Sequence, residues 1–323
     1  MSKSVRTVKG LVRTDELGRT LMHEHLQVGF PGWETDTLAP GPDRRDIIQI
    51  AVDRIEGLKS AGYSTLVDPC PSDLGRDVEL MAEIADRTGF NIVCATGLYH
   101  QFLGAAGHWL MRMQFDPDCD RHLADIFIAE IEQGVRGTGI KPGVIKVATA
   151  HPPFTDYEKM VFKAAAIASQ ATGTPIMTHT DGILGDEQLV VLGDGGVRPD
   201  QVIVGHSCCS GDHSYHDQLV ATGAFLGFDR FGLSVTFPDE ERTANLVRLI
   251  KAGHTRQLIV SHDSVGCFLG GIAPPELIAE LNRTSHPLHF HEVVRPQILE
   301  MGVSEADVEM ILRDNPRRFF ESC

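Results

Sequence analysis

Leu21-Met22-His23-Glu24-His25 is a short apolar run ending in two histidines, and what surrounds it decides the fold. In an open dinucleotide-binding sheet the first strand runs straight into a G-x-G-x-x-G turn, and no such turn follows His25. Instead the same kind of run recurs at intervals of a few tens of residues, as Ser64-Asp68, Asn91-Thr96, Val144-Ala148, Pro175-His179, Val202-His206, Ala224-Phe228 and Leu258-His262. Between these runs lie stretches of helical period such as Asp43-Ala61, Gly75-Thr88, Thr155-Thr172 and Asp239-Ala252. Gly62, Gly89, Gly173 and Gly253 stand where helix C-caps stand, and Thr155 with Glu158 forms a capping box. Eight such strand–helix units predict an α/β chain folded as a (β/α)8 TIM barrel.

Before the first run, Val8-Gly10-Leu11-Val12 and Gly18-Arg19-Thr20, separated by Asp15-Glu16-Leu17, predict a short N-terminal hairpin. Past the eighth run, residues 265–287 read as a long loop over the barrel mouth and a wall for substrate. C-terminal helices follow over His289-Met301 and Ser304-Asp314, with Asn315-Pro316 stopping or restarting the last one. No linker or low-complexity tract divides residues 1–323, so a single domain is expected.

The 44 acidic and 29 basic residues give a net charge of −15, which repels phosphate backbones, and no block of Lys and Arg offers an exception. Nucleic acid is excluded as a partner. The N-terminal MSKSVRTVKG has no apolar core of a secretory signal, and no span of membrane-crossing length is free of charge. A cytoplasmic enzyme with no membrane partner is expected, with its seven cysteines, among them no C-x-x-C pair, as reduced thiols.

A barrel enzyme carries its reactive groups at the C-terminal ends of its strands. His23 and His25 end the first strand, and an H-x-H spacing puts both imidazoles on one face. His179 ends the fifth strand, His206 the sixth, and Asp263 follows the eighth. Each alone reads equally well as a core histidine or a helix cap; four strands ending in ligand-type residues point to a metal centre. Lys146, in Val144-Ile145-Lys146-Val147, sets a cation inside an apolar strand, where an uncompensated ammonium is expensive. Beside metal ligands its charge would also oppose the metals.

The motifs Met22-His23-Glu24-His25-Leu26, Gly143-Val144-Ile145-Lys146-Val147-Ala148-Thr149, Thr178-His179-Thr180, Gly205-His206-Ser207 and Ser261-His262-Asp263 resemble those of the phosphotriesterase family of the amidohydrolase superfamily. The likeness runs from about Gly10 to Phe320 and includes the phosphotriesterase-like lactonases. It implies a homodimer and two divalent metals, Zn²⁺ first, with Co²⁺, Mn²⁺ or Fe²⁺ as alternatives. His23, His25 and Asp263 would hold the more buried metal and His179 with His206 the more exposed one. Lys146 would bridge them as a CO₂-derived carbamate. A water between such metals ionises near neutral pH, and Asp263 is placed to accept its proton.

Tyr99, after the third strand, and Arg230, in Phe228-Asp229-Arg230-Phe231, look like residues of the lactonase branch; a surface Arg230 paired with Asp229 is the bland alternative. Organophosphate-degrading members carry a histidine at the Arg230 position and an acid where Cys209 stands. His206-Ser207-Cys208-Cys209 suggests no thiol enzyme, because no base partner is implied. Val265, Cys267, Phe268, Leu269 and Ile272 are apolar enough to enclose an acyl chain, with Val265 and Cys267 as substrate contacts. The expectation is a binuclear hydrolase of small-molecule lactones or esters with promiscuous triester hydrolysis. A dedicated phosphotriesterase and a non-catalytic binding protein are the alternatives.

Overall fold

The computed structural model describes residues 3–322. Its strands are β1 (Ser4–Thr7), β2 (Gly10–Arg13), β3 (Arg19–Leu21), β4 (Glu24–His25), β5 (Tyr63–Asp68), β6 (Asn91–Gly97), β7 (Val144–Lys146), β8 (Ile176–Met177), β9 (Val202–Val204), β10 (Phe225–Phe228), β11 (Leu258–Val260) and β12 (Ser264–Val265). The main helices are α1 (Arg44–Ser60), α2 (Val78–Thr88), α3 (Ala106–Met113), α4 (Cys119–Gln133), α5 (Asp156–Thr172), α6 (Gly185–Asp194), α7 (His213–Thr222), α8 (Asp239–Lys251), α9 (Pro275–Thr284), α10 (Arg295–Glu300), α11 (Glu305–Glu309) and α12 (Asn315–Glu321).

All eight expected barrel strands form, shorter at most of their C-terminal ends than their apolar runs. They pair in parallel in the order β3-β5-β6-β7-β8-β9-β10-β11. The first run breaks after Leu21, and its rim portion β4 pairs in parallel with β12, Ser264 opposite Glu24 and Val265 opposite His25. Asp263 N–H also donates to His23 O at 3.0 Å. Rim pairing thus joins the first and eighth staves.

Alternation along the strands sorts the core. Met22, Val67, Val93, Ala95, Val144, Met177, Ile203, Phe225 and Ile259 pack in one cluster with Phe319 of α12, while neighbours such as Leu66, Ile92 and Val204 pack with the helices. The barrel axis is therefore filled with hydrocarbon and stoppered by Phe319 at the strands' N-terminal end. Truncating that ring to alanine is expected to cost about 3–5 kcal/mol. Polar groups are left to the other end.

The predicted helices are present, with Asp43, Asp77 and Thr155 as N-caps, the Thr155/Glu158 capping box formed, and Gly89 and Gly173 as left-handed C-caps. The hairpin needs correction. Its strands are β1 and β2, turning at Val8-Lys9, and Arg19-Thr20 belongs to the first barrel strand. The stretch 265–287 is no plain loop, since it begins with β12 and contains α9. The C-terminal helices contain π turns, Phe290–Val294 and Met310–Asp314, each running into a helix with proline at its start. Pro296 and Pro316 cannot donate and crowd the preceding turn, and widening that turn accommodates them. Asn315-Pro316 thus restarts the helix. Among the described residues, no helix is long and apolar enough to cross a membrane, and the six described cysteines are free.

Candidate metal centre

Short strands followed by tight turns deliver the six singled-out side chains to one end of the barrel. His23 and His25 flank Glu24 at the rim, Lys146 ends β7, and His179 and His206 each lie two residues past a strand. His206 and Asp263 turn through left-handed backbone, at φ 58° and 52°, a conformation that side chains other than glycine rarely adopt. Gly97 ends β6 at φ 125°, where a Cβ would come within 1.8 Å of Lys146 O. Only glycine lets the two strands meet at that point.

The inward atoms converge. His23 Nε2 and His25 Nε2 lie 3.3 and 3.2 Å from Asp263 Oδ1, and Lys146 Nζ lies 3.2 Å from His23 Nε2. His206 Nε2 is 3.6 Å from Asp263 Oδ2 and is buried with no hydrogen-bond partner. The His179 ring lies edge-on to that of His206, with centroids 4.5 Å apart. A buried lone pair with no donor is costly unless a cation takes it. The ligand atoms of His23, His25 and Asp263 all lie within 4.8 Å of one another. Imidazole and carboxylate donors at this spacing fit a divalent metal.

Behind the imidazoles stand carboxylates that sequence reasoning missed. Asp229 accepts from His23 Nδ1 on one oxygen and from His206 Nδ1 on the other, both at 2.9 Å, and Asp68 Oδ1 is 3.2 Å from His25 Nδ1. With Nδ1 protonated, each Nε2 presents its lone pair to the centre, the arrangement typical of metal-binding histidines. The available signal was positional, since Asp68 ends the second barrel run and Asp229 directly follows the seventh. Asp229 is therefore not the partner of Arg230. Arg230 instead donates from Nε to Asp263 Oδ2 at 2.9 Å and lies 3.6 Å from Asp181.

Burial pushes Lys146 down to about 8 against the pull of Asp263 and Asp229. Burial and the charge of Arg230 push His206 down to about 3. His25 goes the other way. Burial opposes its charged form, but Asp263 and Asp68 on either side more than offset this and raise it well above the ordinary imidazole value.

Tyr99 Oη is 3.4 Å from both ring nitrogens of His179. Cys209 Sγ accepts from Arg230 Nη1 at 3.8 Å, and the same thiol makes polar contacts with Thr236 and Arg242. Above the centre opens a cavity of about 200 Å³, with His23, His25, Lys146, His179 and Asp263 at its base and Tyr99 and Arg230 beside them. Its apolar walls include Val28, Phe30, Leu74, Leu233, Val265, Phe268 and Leu281. Of the five apolar residues expected from the stretch after the eighth strand, Val265 and Phe268 line it. Cys267 does not; it is buried, with its thiol on Phe268 O. Leu269 is buried elsewhere and Ile272 is exposed. Leu281, Asn282 and Ser285, on and just after α9, complete the wall, because helix formation turns that face inward. A second H-x-H, His289-Phe290-His291, lies elsewhere, with His289 paired to Asp239 at 2.8 Å.

Comparison with known proteins agrees with this geometry. The profile of the phosphotriesterase family matches residues 3–320. A phosphotriesterase homology protein of Mycobacterium tuberculosis is 34% identical, with 98% of this chain and 97% of the relative covered. An aryldialkylphosphatase of Saccharolobus solfataricus is 32% identical, over 97% of this chain and 98% of the relative. A solved structure from the engineering of organophosphate hydrolysis activity out of a weak promiscuous lactonase template superposes with a TM-score of 0.94. It is 33% identical and covers 98% of this chain and 100% of its own. With the fold, the donor set and full-length matches in agreement, the chain belongs to the phosphotriesterase family of metal-dependent hydrolases.

Proposed function

We propose that this chain hydrolyses lactones and related carboxylic esters, with organophosphate triesters as weak alternative substrates. The observation that carries the reading is the pairing of an apolar cavity of about 200 Å³ with Arg230 and Tyr99 beside Asp263 and His179. A planar ester carbonyl with one hydrocarbon arm needs a single slot. A tetrahedral triester spreads three arms and needs room for each. The aryldialkylphosphatase relative supports the second reading, a dedicated phosphotriesterase.

Two divalent metals, Zn²⁺ first, held by His23, His25 and Asp263 and by His179 and His206 with Lys146 between them, would supply an activated water and an electrophile for the substrate oxygen. Lys146 is prepared for that place by burial, which lowers its amine to about 8 and so leaves a minor but available share of it neutral near physiological pH. The neutral amine attacks CO₂, an N–C bond forms, one C=O pair becomes carboxylate, and the nitrogen proton leaves to solvent. The buried cation would thereby give way to a carboxylate able to ligate metal. Asp263, oriented by Arg230 through Oδ2, takes up the proton released as water attacks. The apolar walls keep bulk water from the acyl chain and strengthen each of these polar contacts.

The test is a side-by-side panel of γ- and δ-lactones, acyl-homoserine lactones, aryl esters and aryl phosphotriesters, using protein supplied with metal and bicarbonate. The highest kcat/KM is expected among the lactones. Triester turnover exceeding lactone turnover by orders of magnitude would establish the second reading, and protein that binds no metal and turns over nothing would defeat both.

A further inference from the structure

Glu24 lies between the two histidines of the H-x-H pair, where alternation turns its side chain away from theirs, yet its carboxylate is buried. It gathers five donors from one short stretch beyond β11. Oε1 accepts from Ser261 Oγ at 2.8 Å, His262 N–H at 3.0 Å and His262 Nδ1 at 2.5 Å. Oε2 accepts from Ser264 N–H at 3.3 Å and Ser264 Oγ at 2.5 Å. Phe290 N–H donates to His262 Nε2 at 2.9 Å, which leaves Nδ1 as the protonated nitrogen and fixes it as a donor to Glu24. The gripped residues bracket Asp263, the one residue of this stretch in left-handed backbone.

We propose that Glu24 is a positioning residue, one that holds the left-handed turn of Asp263 so that its carboxylate stays converged on His23 and His25. The proposal rests on the reading of Asp263 as a metal ligand. Left-handed backbone is unfavourable for aspartate, and a turn without tethers relaxes toward extended geometry and swings the carboxylate off the centre. Barrel closure alone does not require the grip, because β4 and β12 already pair through their main chains. The same device recurs at the other strained ligand. His206 is also left-handed, and its N–H donates to Asp229 Oδ1 at 2.8 Å. Each metal ligand in a strained turn is thus gripped through nearby backbone by a carboxylate from a neighbouring strand.

The experiment is chelator-driven release of Zn²⁺ from the metal-loaded full-length protein, with circular dichroism to verify folding. Glu24→Gln keeps the shape of the side chain but replaces one acceptor oxygen with a donor. One of the two metals is expected to leave about 10-fold faster or more, with the other unchanged, in line with losses seen when partners behind metal ligands are removed. Ser264→Ala removes a single donor and gives a smaller acceleration of the same metal. Folded Glu24→Gln protein that releases both metals at the wild-type rate would overturn the proposal. If Glu24→Gln does not fold, Ser264→Ala decides, and unchanged release there overturns it. Asp263→Asn separates the two readings, since unchanged release in that variant removes Asp263 from the ligand set and leaves nothing for Glu24 to position.

Discussion

Around His23, His25 and Asp263 each imidazole is backed by a buried carboxylate, Asp229 or Asp68, and the strained aspartate turn is gripped by Glu24. His179 has no such backing. Its ring nitrogens lie 3.4 Å from the Tyr99 hydroxyl, and one of them lies 3.6 Å from the half-exposed Asp181. His206 stands between the two conditions, held by Asp229 yet with its inner nitrogen unpartnered. The difference separates a preorganised half, suited to keeping a metal, from a looser half beside the cavity, where substrate needs room. Carboxylates that fix the tautomer and angle of a ligand imidazole tune metal affinity.

The largest effect is expected where the halves meet. Lys146→Ala removes the group between them, so metal content measured after dialysis should fall below two per chain and lactone hydrolysis should drop to near background. Retention of two metals with near-full rate would end the bridging role of Lys146. Next comes a pair of substitutions that sets the halves against each other. Asp229→Asn withdraws the backing of both His23 and His206 and should weaken metal binding about 10–100-fold. Asp181→Asn, beside the loose His179, should weaken it far less. Equal losses in calorimetric titrations would erase the distinction between the halves.

Two of these imidazoles should also answer acid with opposite signs in chelated protein. His206 is held at about 3, against about 6.5 in an unfolded chain. Between these values the unfolded chain binds a proton that the folded chain refuses, so this group lowers stability as pH falls from about 6.5 toward about 3. His25 is raised well above its ordinary value, so its contribution is complete below about 6.5 and is lost as pH rises through the raised value. Denaturant melts across pH should therefore flatten on the acid side in His206→Gln and on the neutral-to-alkaline side in His25→Gln. A change of the same sign in both would refute the assignment.

How much of this was legible in the sequence follows from which interactions are local. Apolar runs and caps are local, so all eight barrel strands and the ends of α5 could be read directly. The six inward groups were legible because strand ends share one address in a barrel. Asp68, Asp229 and Glu24 were not, because each is defined by partners on another strand that only the fold brings beside it. Glu24 is separated by 237 residues from Ser261, whose hydroxyl it accepts. Alternation correctly turned its side chain away from the histidines, but nothing local told of the eighth strand waiting there. The hairpin was misplaced for a related reason, since Gly18-Arg19-Thr20 has turn character in isolation and becomes strand by pairing with β5. Cys267 was chosen for its apolar neighbourhood, but the chain past β12 does not keep the alternation that Val265 would start, and Phe268 reaches the cavity instead.

The smallest expected effect tests the loose half most directly. Tyr99 Oη is too far from His179 for a strong hydrogen bond, so Tyr99→Phe should leave metal content and release rates unchanged. Burial raises the phenol far above neutral pH and keeps it a donor, so its place at the cavity base suits a substrate oxygen. A neutral hydrogen bond of that kind contributes about 10-fold at most, and lactone kcat/KM should fall within that limit while triester turnover changes little. Parallel metal analysis and kinetics on both substrates check this. Metal loss in Tyr99→Phe would mean that the hydroxyl steadies His179 after all, and the two halves would then differ only in the kind of group that stands behind the imidazole, an acid in one and a phenol in the other.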